Sequence, residues 1–180
     1  HFIGYTKYYR IPISDETAHN GEWLKAPGDR LFQVLESTII DFNVIAEDLG
    51  NVTEDVISLR DKYNFPGMRV IQFEFDKTFS PKDFLKHSVV CTGTHDNDTI
   101  IGWFESLPEN SADENTLTKS KLLHFFQCKR DNIHWEIINY TLGRASDMAI
   151  LPLQDILREG SSSRFNTPGT LSSSNWSWRM

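Results

Sequence analysis

Cysteine is scarce in this chain. Cys91 and Cys128 are its only two among 180 residues, too few for a disulfide framework, so reduced thiols are the expected state. Positive charge is also in deficit. Lys and Arg total 18 against 25 Asp and Glu, a formal net charge of -7, which argues against a nucleic-acid partner, whose phosphates call for a basic face. No apolar run reaches the length of a membrane span, and the opening residues carry no signal-peptide pattern. Nucleophile-elbow, Walker and Rossmann glycine motifs are missing, as are H-x-H, HExxH and paired-Cys metal patterns. There is no internal repeat and no long low-complexity segment. What remains is a chain with 39% hydrophobic and 12% aromatic residues, enough for one domain with a real core.

Apolar runs alternate with polar loops and helical patterns. "NVIAEDLG" (43–50) reads as a short strand that turns polar. "NVTEDVISLRDKYN" reads as a helix with Thr53 as cap, Val52 stapled to Ile57, and Val56, Leu59 and Tyr63 on one buried face. "FPGMRVIQFEF" (65–75) reads as a strand entered through a Pro-Gly turn. "HSVVCTGTHDND" is a strand with a polar loop after it. Helices are expected around "TLTKSKLLHFFQ" and "NIHWEIINYTLGRAS", and "MAILPLQDIL" is again apolar, then polar. The expected fold is α/β, with parallel strands alternating with helices. Polar clusters end three strands: Glu47-Asp48, Thr94 to Asp98, and Gln154-Asp155. In such sheets chemistry collects at the carboxyl ends of strands. Clusters that converge favour a barrel over an open sheet.

Each cluster admits more than one role. Glu47 is a candidate general acid/base at a strand end, where partial desolvation raises a carboxyl pKa. It also fits a plain helix-entry acid that complements the dipole of the next helix. Asp48 reads as a structural partner, because strand alternation points it the other way. Asp96 could stabilise a developing cation or grip sugar hydroxyls, with His95 beside it, or it could serve an Asx-turn, as Asp98 with Thr99 would. His95, Asp96 and Asp98 are also metal-ligand types, which leaves a metal-dependent barrel hydrolase as an alternative. No second His lies at ligand spacing, so no metal and no cofactor are assigned. The tryptophans could stack on sugar rings or fill the core. His19, His87, His124 and His134 read as surface or helix residues, and Cys91 as a buried strand residue.

Six stretches then come in order: "VIAEDLG", "FPGMRVIQF", "TGTHDNDTIIGW", "ILPLQDIL", "RFNTPG" and "NWSWR". Together they resemble the C-terminal half of the 4-alpha-glucanotransferases, also called amylomaltases or disproportionating enzymes. The opening "HFIGYTKYYRIP…NGEWLKAPG" is similar to the family segment around its nucleophile. The resemblance implies the C-terminal half of a TIM barrel, with residues 1–180 forming part of the catalytic domain and the N-terminal half of the same protein as their missing partner. It implies retaining transfer between α-1,4-glucans and maltooligosaccharides. Glu47 would be the acid/base and Asp96 the transition-state stabiliser. His1, Phe73, His95 and Asn166 would line the substrate.

The family's nucleophilic Asp belongs to an R-I-D-H-F motif. His1 matches that motif's His, so the nucleophile is expected directly before His1. Phe165 stands where Met is usual, and Cys91 where Tyr is commoner. The expected compartment is the cytoplasm, or a plastid if a transit segment has been lost. A half barrel with open sheet edges is expected to be poorly stable alone. A non-catalytic glucan-binding remnant is the other reading of such a chain.

Overall fold

Short amphipathic elements joined by polar turns make up this chain, and a computed structural model describes residues 1–75 and 85–180 of it. These divide into two compact units, His1–Met68 and Arg69–Met180.

The first unit opens with a 3-10 turn at Phe2–Tyr5. A hairpin of β1 (Lys7–Arg10) and β2 (Glu22–Lys25) follows, antiparallel, with Tyr9 opposite Trp23. Their rings meet edge to face at 5.2 Å, the kind of cross-strand aromatic pair that stabilises a two-stranded ribbon. Helix α1 spans Gly28–Thr38 and α2 spans Glu54–Lys62. Neither the hairpin nor α1 is among the elements expected from the sequence. The core is largely aromatic: Phe2, Phe32 and Phe65 are buried with Ala46, Val56 and Leu59, and Phe32 meets Phe65 at 5.1 Å.

Helix α2 buries Val56 and Leu59, and Tyr63 packs against the same cluster, as its spacing predicts. Thr53 stands at its N-cap but its hydroxyl makes no capping bond. The hydroxyl donates a hydrogen bond to the first-turn carboxylate of Asp55 instead. The strand expected at 43–50 shrinks to a single parallel bridge between Ala46 and Gly67. The chain turns at once after it, with the Asp48 amide donating to the Ala46 carbonyl at 2.9 Å.

β3 (Gly67–Val70) crosses the boundary between the units. It does not continue through 75 as the apolar run suggested; Ile71–Glu74 coil into a helical turn, α3. β4 (Ser88–Cys91) is buried at all four positions, the signature of a strand covered on both faces. The helices α4 (Ile100–Ser106), α5 (Lys119–Phe125) and α6 (Ile133–Leu142) follow. Last come β5 (Met148–Ile150) and α7 (Leu153–Ile156). The sheet order is β3-β4-β5, and β4 pairs with β5 in parallel, Val90 opposite Ala149. An α/β fold with a parallel strand pair and flanking helices is therefore what the chain adopts.

The second core is mainly aliphatic, with Ile71, Val90, Ile100, Leu122, Ile133, Ile137 and Ile138 around Phe75 and Phe104. Two helices are capped by threonine hydroxyls: Thr99 accepts from the Gly102 amide at 3.0 Å, and Thr118 from the Lys121 amide at 3.2 Å. Each hydroxyl satisfies one of the amides a helix start leaves unpaired. His134, read as a surface or helix residue, lies on helix α6 and is 4% exposed. It falls on the buried stripe of α6 with Ile133, Ile137, Ile138 and Thr141. Among the described residues no helix is long and apolar enough to cross a membrane.

Candidate active site

In the first unit, Glu47 and Asp48 point to different surroundings, through the turn that follows the Ala46 bridge and not through a continued strand. Asp48 is buried, 4% exposed. Its carboxylate pairs with Arg60 of α2 and accepts the Met68 amide at 2.7 Å. Gly67 makes room for it: a Cβ there would stand 2.6 Å from Asp48 Oδ2. The Glu47 side chain stays about a third exposed, with Oε2 3.6 Å from the α-nitrogen of His1. The Glu47 carbonyl accepts the Phe2 amide at 2.9 Å. The segment that begins at His1 is thus pinned beside the Glu47 carboxylate, and the His1 residue is itself exposed.

In the second unit, the loop after β4 is organised side chain by side chain. Asn97 Oδ1 accepts from the Thr94 amide and the Thr94 hydroxyl, both at 2.9 Å. Asp98 Oδ1 accepts the Thr99 amide at 2.8 Å and Oδ2 the Ser161 hydroxyl at 2.7 Å. Asp98 and Thr99 therefore make the turn into α4. Gln72 of α3 donates to the Asp98 carbonyl at 2.7 Å.

Asp96 faces a different set. Its Oδ1 accepts from Asn166 Nδ2 at 2.6 Å and lies 3.4 Å from His95 Nε2. Its Oδ2 receives no hydrogen bond among the described residues. The Asn166 amide also donates to the His95 carbonyl at 3.1 Å. His95, Asp96 and Asn166 form one cluster, and Glu47 with His1 forms another. Phe73 lies on α3, 56% exposed.

The third polar cluster, Gln154-Asp155, is no open site. Both residues are buried on α7. Asp155 Oδ2 accepts the Thr92 hydroxyl at 2.5 Å and Oδ1 the Ile100 amide at 2.7 Å. Burial pushes the Asp155 carboxyl above its ordinary range, and the two hydrogen bonds only partly oppose this. Burial, with Asp155 nearby, also pushes the Cys91 thiol up to about 11, so Cys91 is a packed strand residue and not a nucleophile.

The metal reading of His95, Asp96 and Asp98 finds no support. The Asp98 carboxylate is taken by Ser161 and Thr99. Among the described residues no three His, Cys, Asp or Glu side chains gather as a metal site.

Two residues at this site have no individual role assigned from the sequence, although they lie in the stretches "RFNTPG" and "NWSWR". Arg164 Nη2 donates to the Asp96 carbonyl at 2.7 Å, and Trp176, one of the tryptophans open to sugar stacking or core packing, lies 5.2 Å from the His95 ring.

A sequence profile of the 4-alpha-glucanotransferase family matches residues 1–180. The chain is 43% identical to the 4-alpha-glucanotransferase of Synechocystis over 186 aligned positions, covering 99% of this chain and 35% of that protein. It is 38% identical to the Thermus thermophilus 4-alpha-glucanotransferase, covering 100% of this chain and 37% of that protein. Among solved structures, the Streptococcus agalactiae amylomaltase in complex with acarbose superposes with a TM-score of 0.87 at 32% identity, over 100% of this chain and 36% of that one. The chain spans about a third of the length of the relatives it matches. On this evidence it belongs to the 4-alpha-glucanotransferase family.

Proposed function

We propose that these residues form the C-terminal half of the catalytic TIM barrel of a 4-alpha-glucanotransferase. The protein would move a segment of an α-1,4-glucan onto the 4-hydroxyl of an acceptor glucan or glucose. The observation that carries the reading is the placement of His1 beside Glu47, in a chain whose whole length matches this family. Retaining transfer needs two carboxyl groups about 5–5.5 Å apart across the scissile bond. An aspartate directly before His1 would be held by the same Phe2–Glu47 backbone bond, close to the Glu47 carboxylate.

In the first step that aspartate attacks the anomeric carbon while Glu47, as acid, protonates the departing glycosidic oxygen. In the second, the Glu47 carboxylate takes the proton of an acceptor 4-hydroxyl, whose oxygen displaces the aspartate. One α-1,4 bond breaks and one forms, with retention. Asp96 offers its unfilled Oδ2 to sugar hydroxyls, a contact that strengthens as the ring flattens toward the transition state. His95 and Asn166 would position the sugar beside it, and His1 and Phe73 would contact the substrate. Neither Glu47 nor Asp96 could replace the attacking group, because attack must come from the ring's opposite face.

No cofactor enters this scheme. The donors are maltooligosaccharides and longer α-1,4-glucans, and the compartment is the cytoplasm, or a plastid where a transit segment precedes. The isolated 180 residues would neither turn over nor stay soluble, with Met148 and Ile150 of β5 about half exposed. Incubating the complete protein with maltotriose should release glucose and build longer oligosaccharides; formation of neither overturns the assignment.

A further inference from the structure

The His95–Asp96 pair is held by a segment that follows it by about seventy residues. Arg164 uses one planar fork for two carbonyls: Nη2 donates to the Asp96 oxygen at 2.7 Å and Nε to the Asn166 oxygen at 2.8 Å. That fork locks the 94–98 loop to the 164–167 turn. Lysine, with a single ammonium, cannot reproduce it. Trp176 completes the brace from the other side. Its ring is 5.2 Å from the His95 imidazole, tilted by 38°, and meets Phe165 edge-on at 5.3 Å. Its amide donates to the Phe165 carbonyl at 2.7 Å.

Trp176 is also backbone-strained, at φ +61°, in a region that costs a bulky L-residue free energy. It is 53% exposed, so burial of the indole does not account for the strain. Its ring packs on His95 and Phe165. The consequence shows on Asp96: Oδ1 is occupied by Asn166 and faces His95, which turns Oδ2 out of the network.

We propose that Arg164 and Trp176 are positioning residues for transfer, acting through Asp96 and His95. The proposal rests on the transferase reading given above. Arg164 sets the height of the Asp96 backbone, and Trp176 fixes the plane of His95. Together they aim the free Asp96 oxygen at the sugar.

The test is maltotriose disproportionation by the complete enzyme, with wild type and Asp96→Asn in the same assay. Misplacing a reacting group by about 1 Å can cost about a hundredfold. On that scale Arg164→Met should lower kcat about 30-fold, and Arg164→Lys about 10-fold. KM should change less than about threefold in both, because binding at other subsites persists. Trp176→Ala should lose about 10-fold in kcat and Trp176→Phe less than about threefold. Melting temperatures should stay near wild type throughout.

An inactive wild type removes the transferase reading itself. With an active wild type, an Arg164→Met enzyme that keeps its kcat overturns the proposal. So does a loss of kcat that tracks a fall in melting temperature across all variants. If Arg164→Met does not fold, the Trp176 pair decides, and equal kcat for Ala and Phe overturns the proposal.

Discussion

Each unit places two carboxylates near a strand end and uses them differently. In the first, Asp48 is sunk against Arg60 while its neighbour Glu47 stays partly exposed. In the second, Asp155 is sunk against a hydroxyl and an amide, while Asp96 keeps one oxygen open. One buried acid is held by a full opposite charge, the other by neutral donors alone. The first should resist loss of Arg60 badly, because the Asp48 carboxylate would be left buried without a counter-charge, while loss of Asp48 leaves Arg60 with the exposed Asp61 alone. The second tolerates a neutral acid and is sensitive to pH instead.

The largest expected effect separates the exposed member of the first pair from the buried one. Glu47→Gln in the complete protein should cut transfer about a thousandfold, the middle of the usual range for a general acid/base. Its glucan binding and melting curve should stay unchanged. Near-normal transfer by that variant would remove Glu47 from the chemistry. Asp48→Ala should do the reverse. The variant loses the acceptor of the Met68 amide and one of the two carboxylates on Arg60, with Asp61 remaining, at an expected cost of about 3 kcal/mol of stability in denaturant unfolding. A loss below about 1 kcal/mol would mean that Asp61 alone compensates Arg60.

Period-two alternation predicts that Glu47 and Asp48 part, and they do, but a turn after the Ala46 bridge separates them and not a continued strand. Helices α2 and α6 were legible from a repeated apolar face. Helix α4 was not: "IIGWF" is apolar throughout, so it shows no period, and only the Thr99 cap marks its start. The Asp155 knot was equally hidden. Its partners Thr92 and Ile100 are 63 and 55 residues away, and an acid in a polar tail reads the same whether or not such partners exist. The apolar run at 65–75 misled in the other direction. Burial of Ile71 and Gln72 comes from a helical turn, not from a continued strand.

A smaller effect probes the neutral-donor side. Thr92→Val removes the hydroxyl from Asp155 and leaves a buried oxygen unsatisfied, at an expected cost of about 1–3 kcal/mol. Asp155→Asn should cost less, about 1 kcal/mol, because an amide oxygen can still accept the Ile100 amide and the Thr92 hydroxyl can turn to accept from the amide nitrogen. If Thr92→Val and Asp155→Asn are equally damaging, the two hydrogen bonds do not govern this site.

The pH dependence of stability gives the finest distinction. Burial raises the Asp155 carboxyl in the folded state. Its neutral form is therefore favoured by folding, and the stability it contributes is fully present below the unfolded aspartate value of about 3.9. That contribution is lost as pH rises through the folded pKa. Burial acts oppositely on His134, with the Arg158 charge adding to it, and lowers its pKa. Among the described residues the Nδ1 of His134 has no hydrogen-bond partner to offset the cost of charging it. Its contribution is present above the unfolded histidine value of about 6.5 and is lost as pH falls through the folded pKa. Asp155→Asn should therefore flatten the stability profile on the side above about pH 4, and His134→Phe the side below about pH 6.5. Measured as unfolding free energy against pH, the two variants should each remove one slope and leave the other. A His134→Phe profile that keeps the full acid-side slope would assign that slope to carboxylates held below their ordinary range, Asp29 by its hydrogen bond from Lys62 and Asp55 by that from Thr53.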